Sequence, residues 1–421
     1  GAASGTSLSP RTDRAVAYRF DLDDVRYLTG PAGLDALAVA QALPLTEDSL
    51  LADLGRVRAV AAARAGAVVE TVRLRRRAVG KLGPAAAGWL FTDEALQQAT
   101  PEPVARHRAR RLAGLGVHDL TCSIGADLVA LAAGADRAGV VAVGSDLDPV
   151  RVLMARHNLA AIGLPPRVLV ADALTRTTRG LLGYADPARR DGGRRITSAS
   201  TVPAVDELDA VHADRLPVLR VPPGLDYDAL ARPGEVELVS LDGVAREAVL
   251  WPPELAGPAR RATVLSSAGG GWTVTSDEPD DVPVGPIGTF LVDPDPAVVR
   301  AHLVRQYAAR HGLGQLDPHL AYLTGPAVPA GVRGFRILDR APYAEKTVAR
   351  WIRRDSVGTL EIKQRGTPIV PDELRRRLRS ALTGPTREAA TLVVARVGRR
   401  AEAFWCRATQ PSPAGGPAGG P

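Results

Sequence analysis

The chain has 421 residues, of which 45% are hydrophobic and 4% aromatic, enough for two or three domains with cores built mainly from Ala, Val and Leu. Its net charge is +7, and only Lys81, Lys346 and Lys363 among the 53 basic residues are lysines, a balance that permits a nucleic-acid partner. Two cysteines exclude a disulfide framework and a cysteine metal site, and neither a signal peptide nor a long apolar run is present, so we expect a soluble, cytoplasmic, metal-free protein.

The N-terminal part of the chain separates into two predicted segments. Residues 1–17 are rich in Gly, Ser, Thr and Arg and are expected to be disordered, whereas residues 18–100 read as helical. Residues 91–100 lead through an Arg- and His-rich helix into the next segment. Their position would allow them to cover a ligand, although core packing alone would also explain them.

A strand–loop–helix unit opens the segment 101–276, around which the chain is organised. A short run ends at Asp119, small residues follow up to Gly125, and an apolar face then repeats at helical spacing. That face is formed by Leu128, Leu131, Ala132 and Ala135. Such a unit presents backbone N–H groups and a helix N-terminus to a nucleotide-like ligand.

Four successive predicted strands each end in an acid, at Asp119, Asp146, Asp172 and Asp186. In a parallel sheet the carboxyl ends of strands share the edge where ligands bind, so these carboxylates should lie together. They suit a ligand with hydroxyls and an amine better than one with phosphates. The loop also lacks the G-x-G-x-x-G pattern of a dinucleotide site.

Arginines and glycines follow Asp186-Pro187 in the segment 188–195. The segment contains Arg189, Arg190, Arg194 and Arg195. It is either a flexible surface loop or a phosphate-binding element for a polyanionic substrate.

The remainder of the chain changes character twice. Two hairpins are predicted, one at Asp242-Gly243 and one at the glycines 269–271. Residues 277–332 are predicted to form a linker and a helical connector, with one helix from Val298 to Tyr307. Residues 333–407 follow the order β-α-β-α-β-β of an incomplete ferredoxin-like α+β domain, and residues 408–421 are expected to be a disordered tail.

The strand-end residues resemble class I S-adenosylmethionine-dependent methyltransferases, whose acid–small–x–small–x–Gly loop matches residues 119–125. The resemblance implies an α/β fold with a Rossmann-like sheet and S-adenosyl-L-methionine as cofactor. The implied cofactor residues are Asp119 with the loop residues Leu120, Thr121, Ser123 and Gly125 at the methionine end, Asp146 at the ribose hydroxyls and Asp172 at the adenine amine. Leu147 and Ala173, which follow the last two acids, are also implied as cofactor-binding residues. Asp186 and Pro187 stand where the D/N-P-P-x motif of the family lines the pocket for the methyl acceptor. Thr121 and Ser123 stand where many members have glycine, and Ala188 replaces a second proline.

A wider resemblance covers residues 85–407. Residues 239–243, 247–251 and 360–366 resemble an uncharacterised bacterial group of methyltransferases with a THUMP-like C-terminal domain. THUMP-type domains are associated with RNA recognition, so the resemblance implies a structured RNA substrate such as tRNA or rRNA. It implies Lys363 and Arg365 as RNA contacts, which join Arg189 and Arg190 as predicted RNA-binding residues.

The predicted reaction is methylation of a base nitrogen. Methylation of pyrimidine carbon 5 usually needs a thiolate, and neither Cys122, in the cofactor loop, nor Cys406, in the distant domain, suits that role. We therefore expect Asp186 to accept a hydrogen bond from the reacting amine or ring N–H. Two alternatives stay open: an RNA-binding protein with a degenerate methyltransferase core, and a methyltransferase of small molecules. The motifs define neither the RNA, the base and its atom nor the oligomeric state.

Overall fold

The computed structural model describes residues 17–189 and 201–410. Two compact units divide the chain, the first comprising Gly1–Ala188 with Val202–Pro217 and the second Arg189–Thr201 with Val218–Pro421. The chain passes from one unit to the other within two short strands, β5 (Ala188–Arg189) and β6 (Thr201–Val202).

The first unit begins with helices that share an apolar core. They are α1 (Leu22–Thr29), α2 (Pro31–Gln41), α3 (Leu50–Ala61), α4 (Ala65–Leu82), α5 (Asp93–Gln98) and α6 (Glu102–Arg111), with 3-10 turns at Ala62–Arg64 and Pro84–Gly88. Residues of α4 such as Val68 and Leu74 are fully buried, and Phe91 joins the same core. The predicted helical region is therefore confirmed in its secondary structure.

A parallel sheet follows in the first unit. Its elements are β1 (Val117–Asp119), α7 (Ala126–Ala138), β2 (Ala142–Asp146), α8 (Pro149–Ala160), β3 (Val168–Val170), β4 (Leu182–Ala185) and, after β5 and β6, α9 (Val205–Val211). The strands pair in the order β4-β1-β2-β3, and every pair is parallel. The predicted apolar face of α7 is buried as expected, so local periodicity identified the helices that cover this sheet.

The second unit contains five mostly antiparallel strands. They are β7 (Val218–Val221), β8 (Glu235–Leu241), β9 (Val244–Trp251), β10 (Arg260–Leu265) and β11 (Gly271–Thr275), with the short helix α10 (Tyr227–Leu230) after β7. They lie in the order β11-β10-β8-β9-β7. Both predicted hairpins form, and Asp242 and Gly243 adopt the positive φ angles, 51° and 75°, that a tight turn of this kind requires.

The second unit also contains a seven-stranded sheet of order β13-β14-β12-β15-β18-β17-β16. The remaining elements are β12 (Phe290–Asp293), α11 (Pro296–Arg300), α12 (Val304–His311), β13 (Gly314–Gln315), β14 (Leu323–Gly325), β15 (Arg333–Pro342), α13 (Glu345–Arg354), β16 (Thr359–Arg365), α14 (Pro371–Leu378), β17 (Ala389–Val397) and β18 (Arg400–Thr409), with a 3-10 turn at Arg379–Ala381. The order from β15 onward is the predicted β-α-β-α-β-β.

Two features between residues 277 and 332 differ from expectation. The segment contributes β12, β13 and β14 to the seven-stranded sheet rather than serving only as a connector. The prediction of one helix from Val298 to Tyr307 is wrong, because α11 ends at Arg300, His302 has a φ of 58°, and α12 starts only at Val304. The N–H of Leu303 then donates to the carbonyl of Val298 (3.0 Å), which caps that helix end.

Candidate functional site

The four predicted strand-end acids lie at one edge of the parallel sheet. Asp119 and Asp146 are the last residues of β1 and β2, Asp186 directly follows β4, and Asp172 lies two residues after β3. Because the strands are parallel and adjacent, their carboxyl ends share this edge. The structure thus brings together the acids that the sequence assigned to one site.

The loop between β1 and α7 is held by backbone contacts to the neighbouring strand. The N–H of Ser123 donates to Oδ2 of Asp146 (2.9 Å), and the N–H of Cys122 donates to the carbonyl of Ser145 (2.8 Å). Gly125 has a φ of 83°, and a Cβ atom there would lie 3.3 Å from the Cβ of Ala155. A left-handed backbone and a close neighbour both explain glycine at this position.

Asp146 and the residues beside it form the predicted ribose and adenine side of the site. Oδ1 of Asp146 accepts the N–H of Asp148 (2.9 Å), so both carboxylate oxygens are oriented by the backbone. Leu147 is 68% exposed, which leaves apolar surface next to that carboxylate. Asp172 is exposed and accepts the N–H of Leu174 (2.9 Å), whereas Ala173 is buried. These groups suit a nucleoside, with hydroxyls at Asp146 and a flat base against Leu147.

Asp119 is the buried acid of the site. Its side chain is almost completely buried, and burial raises the pKa of its carboxyl well above the usual value, with further increases from the charges of Asp127 and Asp186. The N–H of Thr121, which donates to Oδ1 of Asp119 (3.2 Å), acts in the opposite direction. A buried carboxyl near two other acids is best matched by a cationic ligand, since a positive charge favours its ionised form.

Thr121 connects the cofactor loop to the acceptor motif. Its Oγ1 accepts a hydrogen bond from the N–H of Asp186 (2.7 Å), and the neighbouring N–H of Leu120 donates to the carbonyl of Tyr184 (2.8 Å). Pro187 is buried directly after Asp186. The hydroxyl that distinguishes Thr121 from glycine therefore fixes the backbone that carries the predicted catalytic carboxylate.

A buried polar network lies between α6, α7 and β4, and sequence reasoning missed it. Arg108 is 1% exposed and donates to the hydroxyl of Tyr184 (2.7 Å) and to Oδ1 of Asp127 (3.0 Å). The Tyr184 hydroxyl donates to Oδ2 of Asp127 (2.9 Å). Because Tyr184 pairs with Asp119 across the strands, this network supports the strand ends that carry the site. The one sign of this network in the sequence was an acidic residue, Asp127, in the first helical turn after Gly125.

Asn158 is a second missed residue. It is fully buried in α8, where its amide nitrogen donates to the carbonyls of Leu90 (3.0 Å) and Ile124 (2.8 Å) and its amide oxygen accepts the N–H of Leu90 (2.7 Å). It therefore ties the N-terminal helical region to the cofactor loop. A single asparagine among the apolar residues of a helix was the signal in the sequence.

Both cysteines are buried thiols. Burial, followed by the charges of Asp119 and Asp146, raises the pKa of Cys122 well above its usual value. Burial raises the pKa of Cys406 to about 12. Neither side chain provides the accessible thiolate that a cysteine nucleophile needs. The expectation of a nitrogen acceptor was based on the lack of such a cysteine.

The predicted RNA-binding residues have separate surroundings. Arg189 belongs to β5, and Arg190 lies outside the described residues. In the second unit, Nζ of Lys363 donates to Oδ2 of Asp293 (2.9 Å), so part of its charge is used within the protein. Arg365 remains half-exposed, with its guanidinium 5.4 Å from the ring centre of Tyr322. All four assignments stay predictions.

Among residues 17–189 and 201–410, no group of three or more His, Cys, Asp or Glu side chains could hold a metal ion. No helix formed by those residues is both long and apolar enough to cross a membrane.

The parallel sheet, with a glycine loop after β1 and acids at the ends of β1 and β2, has the Rossmann-like fold of class I methyltransferases. Comparison with known proteins agrees. Two curated relatives, uncharacterised S-adenosylmethionine-dependent methyltransferases of Mycobacterium tuberculosis strains CDC 1551 and H37Rv, are each 48% identical over 355 residues, covering 82% of this chain and 97% of the relative. The chain belongs to this family, and its cofactor is S-adenosyl-L-methionine.

Further similarities concern individual parts and the fold. The family described as THUMP domain-like matches residues 332–408, and a domain of unknown function matches residues 21–78. A crystal structure from Porphyromonas gingivalis W83, provisionally named a methyltransferase, has a TM-score of 0.66 at 20% identity and covers 93% of this chain and 100% of that chain. The similarity to this structure confirms the predicted fold class, and the family match at residues 332–408 confirms the THUMP-like C-terminal domain.

Proposed function

We propose that the protein methylates a base nitrogen of structured RNA, such as tRNA or rRNA, in the cytoplasm. We choose RNA as the substrate because the THUMP-like domain has a set of exposed arginines, which we call the basic face. It consists of Arg350 and Arg353 of α13, Arg376 of α14, and Arg379. Arg354, which is next to Arg353, pairs with Asp339 (2.8 Å), whereas the four arginines of the basic face form no ion pair with any other described residue.

Cations that are not neutralised within the protein are free to replace the counterions of a polyanion. Each phosphate contact of this kind makes the affinity for nucleic acid fall as salt rises. The resemblance to THUMP-type domains implies the same class of substrate. A small-molecule acceptor would leave these exposed charges without a role.

The residues of the cofactor site fit S-adenosylmethionine. Asp146 would accept hydrogen bonds from the ribose hydroxyls, Asp172 from the adenine amine, and Asp119 together with the loop backbone would hold the methionine end, where positive charge matches the buried carboxyl. When bound, the cofactor supplies an electrophilic methyl group on a sulfonium. Such transfer needs close approach and alignment of the acceptor more than a strong catalyst.

We assign Asp186 to the acceptor. Its backbone is held by Thr121, so its position is linked to the cofactor loop. Its carboxylate would accept a hydrogen bond from the amine or ring N–H and take the proton that methylation of a nitrogen releases. The buried, high-pKa cysteines support nitrogen over pyrimidine carbon 5 as the target.

The direct test is methyl transfer to RNA from a strain that lacks this gene, with nucleosides identified by mass spectrometry. The wild-type protein should add one kind of N-methylated base, and Asp186→Ala should lower the rate at least 100-fold with cofactor affinity unchanged. If the protein binds the cofactor but modifies no RNA, the proposal fails. A degenerate RNA-binding protein would then still bind RNA, whereas a small-molecule enzyme would not.

A separate experiment tests the basic face. The double variant Arg353→Glu/Arg376→Glu should weaken RNA binding at least tenfold and reduce the slope of log affinity against log salt by about two. Its matched control is Arg399→Glu/Arg400→Glu, which changes the same charge at two exposed positions, one in the turn after β17 and one at the start of β18. Equal RNA affinities for the two variants would show that the basic face is not the contact surface.

A further inference from the structure

The connection between β3 and β4, residues 171–181, carries Asp172 and Ala173, and we call it the β3–β4 loop. The structure describes all of its residues, and none of them belongs to a helix, although a connection between parallel strands usually contains one. Only its first turn is shaped from within, by the N–H of Leu174, which donates to Oδ1 of Asp172 (2.9 Å), and the N–H of Thr175, which donates to the carbonyl of Asp172 (2.9 Å). Contacts with other elements of the first unit must therefore hold the loop in place.

One such contact comes from the sheet. His118 of β1 is 2% exposed; its Nδ1 shares a hydrogen bond with Oγ1 of Thr178 (2.9 Å), and its Nε2 shares one with Oγ of Ser145 in β2 (2.9 Å). Burial, followed by the charge of His212, lowers the pKa of His118 to about 4, so the ring is uncharged at neutral pH. An uncharged ring between two hydroxyls thus connects the later part of the loop to the strands.

The other contacts come from residues 212–215, the turn that follows α9, which we call the α9 turn. It belongs to the first unit, like the β3–β4 loop. Nε2 of His212 lies 3.3 Å from the carbonyl oxygen of Ala173. Because a carbonyl oxygen can only accept, Nε2 must carry the hydrogen and donate it. His212 therefore holds the peptide group that directly follows Asp172 and Ala173 in the loop.

Two arginine contacts extend this attachment along the loop. The guanidinium of Arg176 pairs with both carboxylate oxygens of Asp214, each at 2.8 Å. Nη1 of Arg215 donates to the carbonyl of Gly180 (3.3 Å). The α9 turn therefore contacts the β3–β4 loop near its start, in its middle and near its end.

These contacts restrict the loop more than they stabilise the unit. The side chains of Arg176 and Asp214 are 49% and 59% exposed, and exposed ion pairs contribute little to the free energy of unfolding. A two-point contact between a guanidinium and a carboxylate nevertheless fixes the orientation of both groups. Loss of the α9-turn contacts should therefore alter the conformation of the loop while the unit stays folded.

We propose that the α9 turn is a positioning element that makes the cofactor site selective for adenine. The inference rests on the proposed assignment of Asp172 to the adenine amine. Asp172 is exposed, and a carboxylate on an unrestrained loop would lose conformational entropy when it binds. A loop that is already held loses less, which increases affinity. A carboxylate held in place also discriminates between bases, because it accepts from the amine of adenine but repels the carbonyl oxygen at the same position of hypoxanthine.

Calorimetric titration of the full chain with S-adenosylhomocysteine and with S-inosylhomocysteine tests this proposal. The wild-type protein should prefer the adenosine compound at least tenfold. His212→Leu/Asp214→Ala should weaken binding of S-adenosylhomocysteine at least tenfold and should reduce the preference for adenosine at least threefold. The melting temperature, followed by circular dichroism, should remain almost unchanged.

Conservative variants separate positioning from folding. His212→Gln keeps an N–H that can reach the Ala173 carbonyl, so it should bind S-adenosylhomocysteine more tightly than His212→Leu does. Asp214→Arg places two positive charges together and should weaken binding. The exchange Arg176→Asp/Asp214→Arg restores an opposite pair and should recover most of that loss.

The matched control is His157→Leu/Asp23→Ala, which removes the same kinds of contact elsewhere in the first unit. Nε2 of His157 donates to the carbonyl of Gly88 (3.0 Å), and Asp23 forms an exposed pair with Arg26 (2.9 Å). This variant should alter both affinities less than twofold. Equal affinities for the control and the α9-turn variant would overturn the proposal. A weaker affinity with an unchanged preference for adenosine would also overturn it, since it would indicate a structural role alone.

Asp172→Ala shows which part of the reasoning has failed. If this variant binds S-adenosylhomocysteine as the wild type does, the adenine assignment is wrong and the positioning role falls with it. If it binds weakly while the α9-turn variants bind normally, only the positioning role is wrong. If His212→Leu/Asp214→Ala does not fold, the comparison of His212→Gln with His212→Leu decides, and equal affinities of these two variants would overturn the proposal.

Discussion

Asn158 gives the most direct test of how the helical region supports the cofactor site. Replacing it with alanine removes three buried hydrogen bonds, to the N–H and carbonyl of Leu90 and to the carbonyl of Ile124. At about 1 kcal/mol net for each bond, the free energy of unfolding should fall by about 3 kcal/mol. For a unit of this size, that corresponds to a melting temperature lower by roughly 6–12 °C.

The cofactor affinity separates this role from general packing. Because Ile124 belongs to the cofactor loop, we expect Asn158→Ala to weaken S-adenosylmethionine binding at least tenfold at a temperature where the protein remains folded. Leu74→Ala is the matched control, since it truncates a fully buried side chain of α4 and costs about 2–5 kcal/mol. Melting is followed by circular dichroism and binding by calorimetry. Equal cofactor affinities for the two variants would refute the coupling of Asn158 to the loop.

Three further predictions concern the site itself. Thr121→Val removes the hydroxyl that accepts the Asp186 N–H, so kcat should fall about tenfold with little change in cofactor Kd, and a normal kcat would contradict this. Because the pKa of Asp119 is raised in the folded protein, the free protein holds a proton there that a cationic cofactor displaces. The affinity of the protein for the cofactor should therefore increase with pH until that pKa is passed. In the same titration, the affinity of Asp119→Asn should not change with pH. Cys406→Ala should keep full methyl-transfer activity, because its buried thiol is no nucleophile; loss of activity without loss of folding would reopen a thiolate mechanism.

The features that sequence reasoning predicted well are those with a local cause. The strands before Asp119 and Asp146 and the helix starting at Pro149 follow from apolar runs, acids and helix-start residues within a few positions of each other. The Asp242-Gly243 turn has the same origin, because only a few residue types adopt positive φ readily. Such signals do not depend on the rest of the fold.

The features that were missed depend on partners far along the chain. Arg108 belongs to an Arg-rich helix that looks solvated, and it is buried only because Tyr184, 76 residues later, and Asp127 receive its hydrogen bonds. Lys363 similarly meets Asp293, 70 residues earlier. The break at His302 was invisible for another reason, since histidine rather than glycine adopts the left-handed conformation there.

The substituted glycines of the cofactor loop are better explained by function than by decay. Thr121 uses its hydroxyl to hold Asp186, and Ser123 keeps the left-handed backbone (φ 50°) that lets its N–H reach Asp146. A degenerate loop would be expected to lose such contacts, because nothing would maintain a strained backbone or a hydrogen bond to the acceptor motif. One threonine side chain thus connects the carboxylate proposed to receive the substrate proton to the loop that holds the cofactor. Any motion of that loop would therefore also move the backbone of the acceptor carboxylate.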